Sequence, residues 1–283
     1  MKETSSGIRA ASTPRRRAVL AGVLVLTLAL AALLGPMLYD KDPNLLDLAR
    51  AAAPPGDGHP LGTDESGRDV LGRLLAGGRV SLAVGFAAVT CSALLGLSLG
   101  ALAALGGRRV DTIVMRFTDA MMAIPALFLI ITTLALFGTN VAGLVFAIGA
   151  TSWMGLARLV RAELMSIREQ NYFEAARALG ARPVRVLLRH ALPHLLPGVL
   201  VNITFGVGTA ILMESALSFI GLGIQPPEAS WGNMLTNAQT YLYASPWLAV
   251  YPGLLILITV VAVNVLGDAL RDVAEPASDR GVA

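Results

Sequence analysis

The chain has 283 residues, of which 55% are hydrophobic and only 14% are charged, and its mean hydropathy is +0.66. A water-soluble protein of this size needs more charged residues than this to cover its surface. The composition therefore excludes a soluble domain. The net charge of +3 is dispersed among apolar stretches rather than gathered in one basic domain, which excludes a nucleic-acid-binding module.

About six apolar stretches are long enough to cross a bilayer as α-helices, each of which takes roughly 20 residues. They run from Ala18 to Leu38, Val80 to Leu105, Ile113 to Phe137, Val141 to Leu159, Leu195 to Phe219 and Leu248 to Leu266. The 29 glycines and the aromatic content of only 6% favour closely packed helices over a membrane β-barrel. The single cysteine, Cys91, excludes a disulfide within the chain. We therefore expect an all-α integral membrane protein.

The basic residues predict the orientation, because Lys and Arg concentrate in loops that stay in the cytoplasm. With a cytoplasmic N-terminus, all but five of the 22 Lys and Arg residues fall on the cytoplasmic side. The five exceptions are Lys41, Arg50, Arg68, Arg73 and Arg79. Both termini are therefore expected in the cytoplasm.

These stretches divide the chain into a cytoplasmic tail (1–17), a first transmembrane helix (18–38), an external loop (39–79), a core (80–270) and a cytoplasmic tail (271–283). Within the core, residues 161–193 form a cytoplasmic loop and residues 221–247 form a second external loop.

In the first external loop, Ser66 and Asp69 have the spacing of a capping box. The apolar residues that follow share one helical face, opposite Arg68 and Arg73; they are Val70, Leu71, Leu74 and Leu75. This pattern predicts a short amphipathic helix on the membrane surface.

The cytoplasmic loop has the signals of two short helices. Asn171 can cap the first, Gly180 ends it, Pro183 begins the second and Pro193 interrupts it. Each helix has an apolar stripe but is too short to be stable alone in water. Two alternatives follow: the stripes fold back on the membrane helices, or they dock on a cytoplasmic partner.

Residues of this loop resemble the EAA loop of bacterial ABC-importer permeases. Glu174-Ala175-Ala176, Gly180 and Leu192-Pro193 have its spacing, although His190 stands where the general pattern has Ile. The run from Arg189 to Pro193 is similar to the peptide-permease branch of that family. Three further blocks are similar to the C-type subunit of dipeptide and oligopeptide transporters: His59 to Leu71, Leu217 to Pro227 and Asn264 to Asp272.

The resemblance implies a type I ABC-importer permease fold in the bacterial inner membrane, with a loop that couples the chain to an ATPase. The implied coupling residues are Glu174, Ala175, Ala176, Gly180, Arg182, Leu192 and Pro193. The implied partners are a second permease subunit, expected to form a heterodimer, two ATPase subunits and an extracytoplasmic substrate-binding protein. Membrane lipid surrounds the complex.

ATP and Mg are expected on the partner ATPase subunits, because the sequence contains no GxxxxGK[ST] loop. We expect this chain to bind no cofactor or metal and to be no enzyme by itself. Di- or oligopeptides are the implied cargo, with a nickel chelate, glutathione or another small solute as the alternative. A membrane scaffold without transport is a further alternative, and an intramembrane protease is disfavoured by the absence of HExxH and GxSxG.

Polar residues inside the fifth apolar stretch are candidates for the translocation path or a gate, because polar groups in a membrane are costly. Glu214 falls near the outer interface, where a hydrated structural contact is the alternative. Asn202 and Thr204 fit interhelical hydrogen bonds equally well.

Two further pairs predict structural contacts. Arg116 and Asp119 have the spacing of an ion pair within one helix. Gly96 and Gly100 form a GxxxG pattern, which predicts a close helix contact.

Overall fold

The computed structural model describes residues 14–56, 58–170, 192–236 and 238–274. Within these ranges the regular secondary structure is helical apart from two isolated β-bridges, and the rest is turns and irregular loops. The expected all-α membrane fold is confirmed. The predicted coupling residues Glu174, Ala175, Ala176, Gly180 and Arg182 lie outside the described residues. Leu192 and Pro193 belong to a helix.

Five of the described helices are long and apolar enough to cross a membrane. They are α1 (Pro14–Leu38), α2 (Val70–Leu105), α5 (Val141–Arg168), α6 (Leu192–Phe219) and α8 (Trp247–Ala274). The shorter ones are α3 (Gly107–Met122), α4 (Ala126–Phe137) and α7 (Ala238–Tyr241), with 3₁₀ turns at Leu48–Arg50 and Asn233–Leu235.

The predicted span from Ile113 to Phe137 is broken into two helices, because α3 and α4 meet at a bend of 90°. Pro125 lies at this bend. Proline has no N–H to donate and disfavours helical geometry at the preceding residue, here Ile124, so one helix ends before it and another begins after it. The 12 residues of α4 reach about 18 Å, which is less than the roughly 30 Å of a hydrocarbon core.

The predicted surface helix around Asp69 is also wrong. Val70 begins α2, which continues without interruption for 36 residues, and Asp69 is its N-cap, accepting a hydrogen bond from the Gly72 amide at 2.7 Å. Arg73, expected on an exposed face, is buried. The glycines at 77 and 78 do not end the helix. They let it approach the loop at Ser230 and Trp231, since a Cβ on Gly77 would lie 3.1 Å from the Ser230 carbonyl carbon.

Helices α2 and α5 form the most closely packed pair of the bundle. A Cβ on Gly96 would lie 2.9 Å from the Leu156 Cβ, and one on Gly100 would lie 2.6 Å from the Ala157 oxygen. The predicted GxxxG contact is therefore confirmed. By contrast, α1 lies at the periphery against α8 and α2 and exposes most of its leucines.

Candidate functional site

Alternate directions of the long helices give the bundle two ends. We call the end that holds residues 39–69 and 220–246 the loop end, and the end that holds residues 106–116 and 158–170 the basic end. Helices α1 and α6 run from the basic end to the loop end. Helices α2, α5 and α8 run from the loop end to the basic end.

A central cavity of about 270 Å³ lies among α2, α4, α5 and α6, between the two ends. Much of its surface is apolar, with Ile130, Ile148, Leu156 and Met213 among the lining residues. The polar side chains that line it are Ser92, Thr151, Ser152, Asn202 and Thr209. None of the described residues that line the cavity is ionisable.

Three of these hydroxyl groups donate their hydrogen to their own helix. Thr151 donates to the Ala147 oxygen at 2.8 Å, Ser152 to the Ile148 oxygen at 2.7 Å and Thr209 to the Phe205 oxygen at 3.1 Å. Their oxygen lone pairs therefore remain as acceptors. With the amide of Asn202, which can both donate and accept, the cavity offers hydrogen bonds without charge.

The structure separates the residues proposed for the translocation path. Asn202 lines the central cavity, whereas Thr204 does not. The Thr204 hydroxyl donates to the Leu200 oxygen at 2.7 Å, and its methyl group lies toward Gly267 of α8. The sequence carried a signal that distinguishes them, because Asn202, Gly206 and Thr209 recur at the spacing of one helical face.

Glu214 is fully buried, so it does not make the hydrated contact that was the alternative to a role in the path or gate. Its Oε2 accepts a hydrogen bond from Ser81 of α2 at 2.8 Å, and its Oε1 accepts one from Ser218 at 2.8 Å. Ser81 in turn accepts from the Trp231 backbone N–H at 3.2 Å. Glu214 is not among the residues that line the central cavity; it joins α2, α6 and the loop at Trp231.

A second buried network of the loop end is centred on Asp64. Its Oδ2 lies 2.6 Å from the Arg68 Nε and 3.4 Å from the Arg73 Nε, and all three residues are less than a tenth exposed. Its Oδ1 accepts backbone hydrogen bonds from Ser66 and Arg68, both at 2.9 Å. Two guanidinium groups thus share one carboxylate at the start of α2.

The neighbouring Asp69 binds three side chains of the first loop. Its Oδ2 accepts a hydrogen bond from Tyr39 at 3.1 Å and lies 2.8 Å from the His59 Nδ1 and 3.7 Å from the Lys41 Nζ. Burial, and then the charge and hydrogen bond of Asp69, raise the pKa of Tyr39 to about 12. The segment from Tyr39 to His59 is therefore bound to the cap of α2.

At the basic end, ion pairs join α3 to α5. Arg158 lies 2.6 Å from Asp119, and Arg161 binds both carboxylate oxygens of Asp111. The predicted pair of Arg116 with Asp119 is wrong, because Asp119 bonds across to the neighbouring helix. These pairs fix the position of α3, of which only Val114 and Thr118 are buried.

Comparison with known proteins supports this architecture. A protein of Brucella suis biovar 1 named for a peptide transport system permease is 41% identical over 93% of this chain and 88% of its own length. The dipeptide transport system permease protein DppC of Alkalihalophilus pseudofirmus is 35% identical over 93% of this chain and 86% of its own length. A chain of the inward-facing MetNI methionine ABC transporter has a similar fold, with a TM-score of 0.55 at 22% identity over 72% of this chain and 96% of that chain.

Residues 96–280 match the family described as the inner membrane component of binding-protein-dependent transport systems. This range includes three of the four helices around the central cavity completely and the end of α2. The chain therefore belongs to this family, as a multi-pass ABC-importer permease of the bacterial inner membrane.

Proposed function

We propose that this chain forms part of the translocation path for di- or oligopeptides, and that residues 161–193 couple it to the ATPase subunits of the importer. The observation that carries the proposal is the uncharged, hydrogen-bonding central cavity. Relatives whose names refer to peptides and dipeptides support the choice of cargo.

The chemistry of the cavity suits a peptide. Every peptide has backbone amides that donate and accept hydrogen bonds, while its side chains differ in charge and size. The hydroxyl oxygens and the Asn202 amide pair with such groups, and no fixed charge in the described lining repels a side chain of either sign. Selection among peptides then falls to the extracytoplasmic binding protein.

Coupling is assigned to Glu174, Ala175, Ala176, Gly180, Arg182, Leu192 and Pro193 on the ground of the EAA resemblance. In this proposal the apolar stripes of the two short helices dock on an ATPase subunit, and the basic end of the bundle is cytoplasmic. ATP and Mg bind to the two ATPase subunits. A second permease subunit completes the path.

The path is tested with two substitutions on α6. In proteoliposomes that contain the full importer and its binding protein, Asn202→Leu removes an uncharged polar group from the cavity and is expected to lower uptake of a labelled dipeptide several-fold. Thr204→Val is the matched control and is expected to leave uptake unchanged, because Thr204 lies outside the cavity. The proposed path is contradicted if the two variants change uptake equally or if neither variant changes it.

The coupling segment is tested with Gly180→Val. We expect Gly180 to need a positive φ at the turn between the two helices, which a β-branched residue cannot adopt without strain. The variant should lose uptake and the stimulation of ATP hydrolysis by the loaded binding protein. Gly155→Ala is the control, because a Cβ there meets no atom within 4 Å. Normal uptake and ATP hydrolysis by Gly180→Val would refute this role.

A further inference from the structure

A second cavity, which we call the loop-end pocket, lies where the two loops of the loop end meet. Its volume is about 160 Å³, compared with about 270 Å³ for the central cavity, and no described residue lines both. Polar residues of the second loop line the pocket together with four charged residues of the first loop and the start of α2. The charged residues are Asp64, Glu65, Arg68 and Arg73. The pocket is therefore polar and separate from the proposed path.

The two carboxylates of the pocket are already engaged. An ionised carboxylate has about four lone-pair sites. The Asp64 Oδ1 accepts two backbone hydrogen bonds, and its Oδ2 contacts the guanidinium groups of Arg68 and Arg73. Glu65 accepts a hydrogen bond from the Arg68 Nη2 at 3.2 Å. The acidic side chains therefore offer little to a cationic ligand.

The two guanidinium groups, by contrast, keep unused donors. Each guanidinium has five N–H groups. Arg68 uses its Nε and its Nη2 for the two carboxylates, and Arg73 directs its Nη1 to the Pro43 oxygen at 3.3 Å. Among the residues that the structure describes, no hydrogen bond involves the Arg68 Nη1 or the Arg73 Nη2. The side chains of Arg68 and Arg73 are only 9% and 3% exposed, so water reaches these donors chiefly through the pocket.

The side-chain amides of the second loop bind the loop itself. The Gln225 Nε2 donates to the Gly221 oxygen at 2.7 Å, and the Asn233 Nδ2 donates to the Glu228 oxygen at 2.7 Å. The donors that remain in the pocket are therefore guanidinium N–H groups. The planar guanidinium group matches a carboxylate in charge and geometry, so the chemistry of the pocket favours a carboxylate ligand.

We propose that the loop-end pocket binds the carboxylate of an acidic side chain on the extracytoplasmic binding protein. This inference rests on the proposed function, which places the loop end outside the cytoplasm. A group presented from outside reaches the pocket without entering the central cavity, because the two cavities are separate. The lining includes Arg73 of α2, Ser218 of α6 and residues of both loops, so docking there contacts all four elements at once.

The test changes Thr236, which is exposed and lines the pocket, and leaves the buried charges intact. The affinity of the labelled binding protein is measured for the full importer in nanodiscs. Thr236→Glu places a carboxylate of this chain at the pocket, where it repels or replaces the incoming one, and should weaken binding at least roughly tenfold.

Two controls separate charge from size and position. Thr236→Gln has nearly the same size as Thr236→Glu without its charge. Thr240→Glu places the same charge on an exposed threonine of the same loop that does not line the pocket. Both controls should bind within about twofold of the wild type, since isolated surface charges contribute little. If Thr236→Glu binds as tightly as either control, the proposal is overturned.

Acetate tests the carboxylate site without the binding protein. At equal ionic strength, sodium acetate should raise the unfolding temperature of the purified chain above its value in sodium chloride, because a ligand that binds the folded state stabilises it. Thr236→Glu should lose this difference and Thr240→Glu should keep it. An acetate effect of the same size in the wild type and both variants lies outside the pocket and contradicts the assignment.

The remaining outcomes separate this proposal from the proposed function. Stabilisation by acetate, together with unchanged binding-protein affinity in Thr236→Glu, assigns the pocket to a free anion or to the cargo and overturns the docking role. A wild-type importer that does not bind the binding protein refutes both proposals. Failure of the Asn202→Leu test refutes the path alone, because neither Thr236 nor Thr240 lines the central cavity.

Discussion

The charged residues at the two ends of the bundle differ in how far they are buried. At the loop end, Asp64, Arg73 and Glu214 are no more than 5% exposed, and each contacts more than one helix or loop. At the basic end, the side chains of Arg158 and Asp119 are 45% and 47% exposed, and they join only α3 to α5. Breaking a buried ion pair is costly because the remaining charge has no water to solvate it. Breaking an exposed pair costs little because water replaces the lost partner.

The difference bears on how such a protein can open. A transport cycle requires one end of the path to separate while the rest of the subunit stays folded. The hydrated pairs between α3 and α5 separate at little cost, whereas the networks of Asp64 and Glu214 hold α2, α6 and both loops together. We therefore expect the basic end to rearrange and the loop end of each subunit to move as one body.

The sharpest test of this contrast is removal of the carboxylate at the loop end. Asp64→Ala leaves the buried guanidinium groups of Arg68 and Arg73 beside each other without their shared acceptor. The expected loss of stability is on the order of 3 kcal/mol, which is typical of breaking a buried ion pair from one side. Thermal unfolding of the purified chain in detergent measures it.

The matched control is Asp47→Ala, since Asp47 pairs with Arg50 at 3.6 Å but is 45% exposed. That substitution should change the unfolding temperature very little. If the two variants unfold at the same temperature, the loop end is not held by its buried charges and the comparison between the two ends fails.

Removing the Glu214 carboxylate should have a smaller but clear effect. Glu214→Ala deprives Ser81 and Ser218 of their acceptor, and unpaired buried polar groups cost roughly 1–3 kcal/mol. A lower unfolding temperature is expected, while Glu163→Ala, at an exposed carboxylate of α5, should behave as the wild type. A Glu214 variant that is as stable as the wild type would show that the link between α2 and α6 contributes nothing.

At the basic end, Arg158→Gln should cost less than about 1 kcal/mol, since exposed ion pairs contribute little and are screened by salt. Arg161→Gln should cost somewhat more, because Arg161 binds both oxygens of Asp111 and the two side chains are 29% and 22% exposed. Unfolding temperatures at low and high salt measure both. A cost for Arg158→Gln as large as that for Asp64→Ala would remove the contrast between the ends.

The sequence predicted the helical membrane fold and five of its long helices because apolar length is a local property. It did not predict the bend before Ala126, because the residues on both sides of Pro125 are apolar and hydropathy shows no interruption there. The surface helix at Asp69 was misplaced for a related reason: the apolar stretch was taken to begin at Val80, whereas α2 begins at Val70 and contains Gly77 and Gly78, which admit the loop at Ser230.

The candidate site was predicted less completely than the fold. Polarity within an apolar stretch singled out Asn202, Thr204 and Glu214, but it could not say what lies opposite each side chain. Only Asn202 lines the cavity. Ser81, one of the partners of Glu214, is far away in the chain, and no spacing within α6 indicates it. Contacts between distant residues depend on helix packing, which one sequence does not reveal.

The smallest expected effect concerns Tyr39. It is a change in how the stability of the loop end depends on pH. The pKa of Tyr39 rises from its ordinary value of 10.0 to about 12 in the folded chain. Above pH 10 the unfolded chain loses this proton first, so the contribution of Tyr39 to stability is present below about pH 10 and is lost as the pH rises toward 12. Tyr39→Phe lacks the hydrogen bond to Asp69, so it should be slightly less stable than the wild type at neutral pH and should lack this part of the alkaline loss. If unfolding temperatures of the two proteins fall in parallel between pH 10 and 12, Tyr39 is not bound to Asp69 as described.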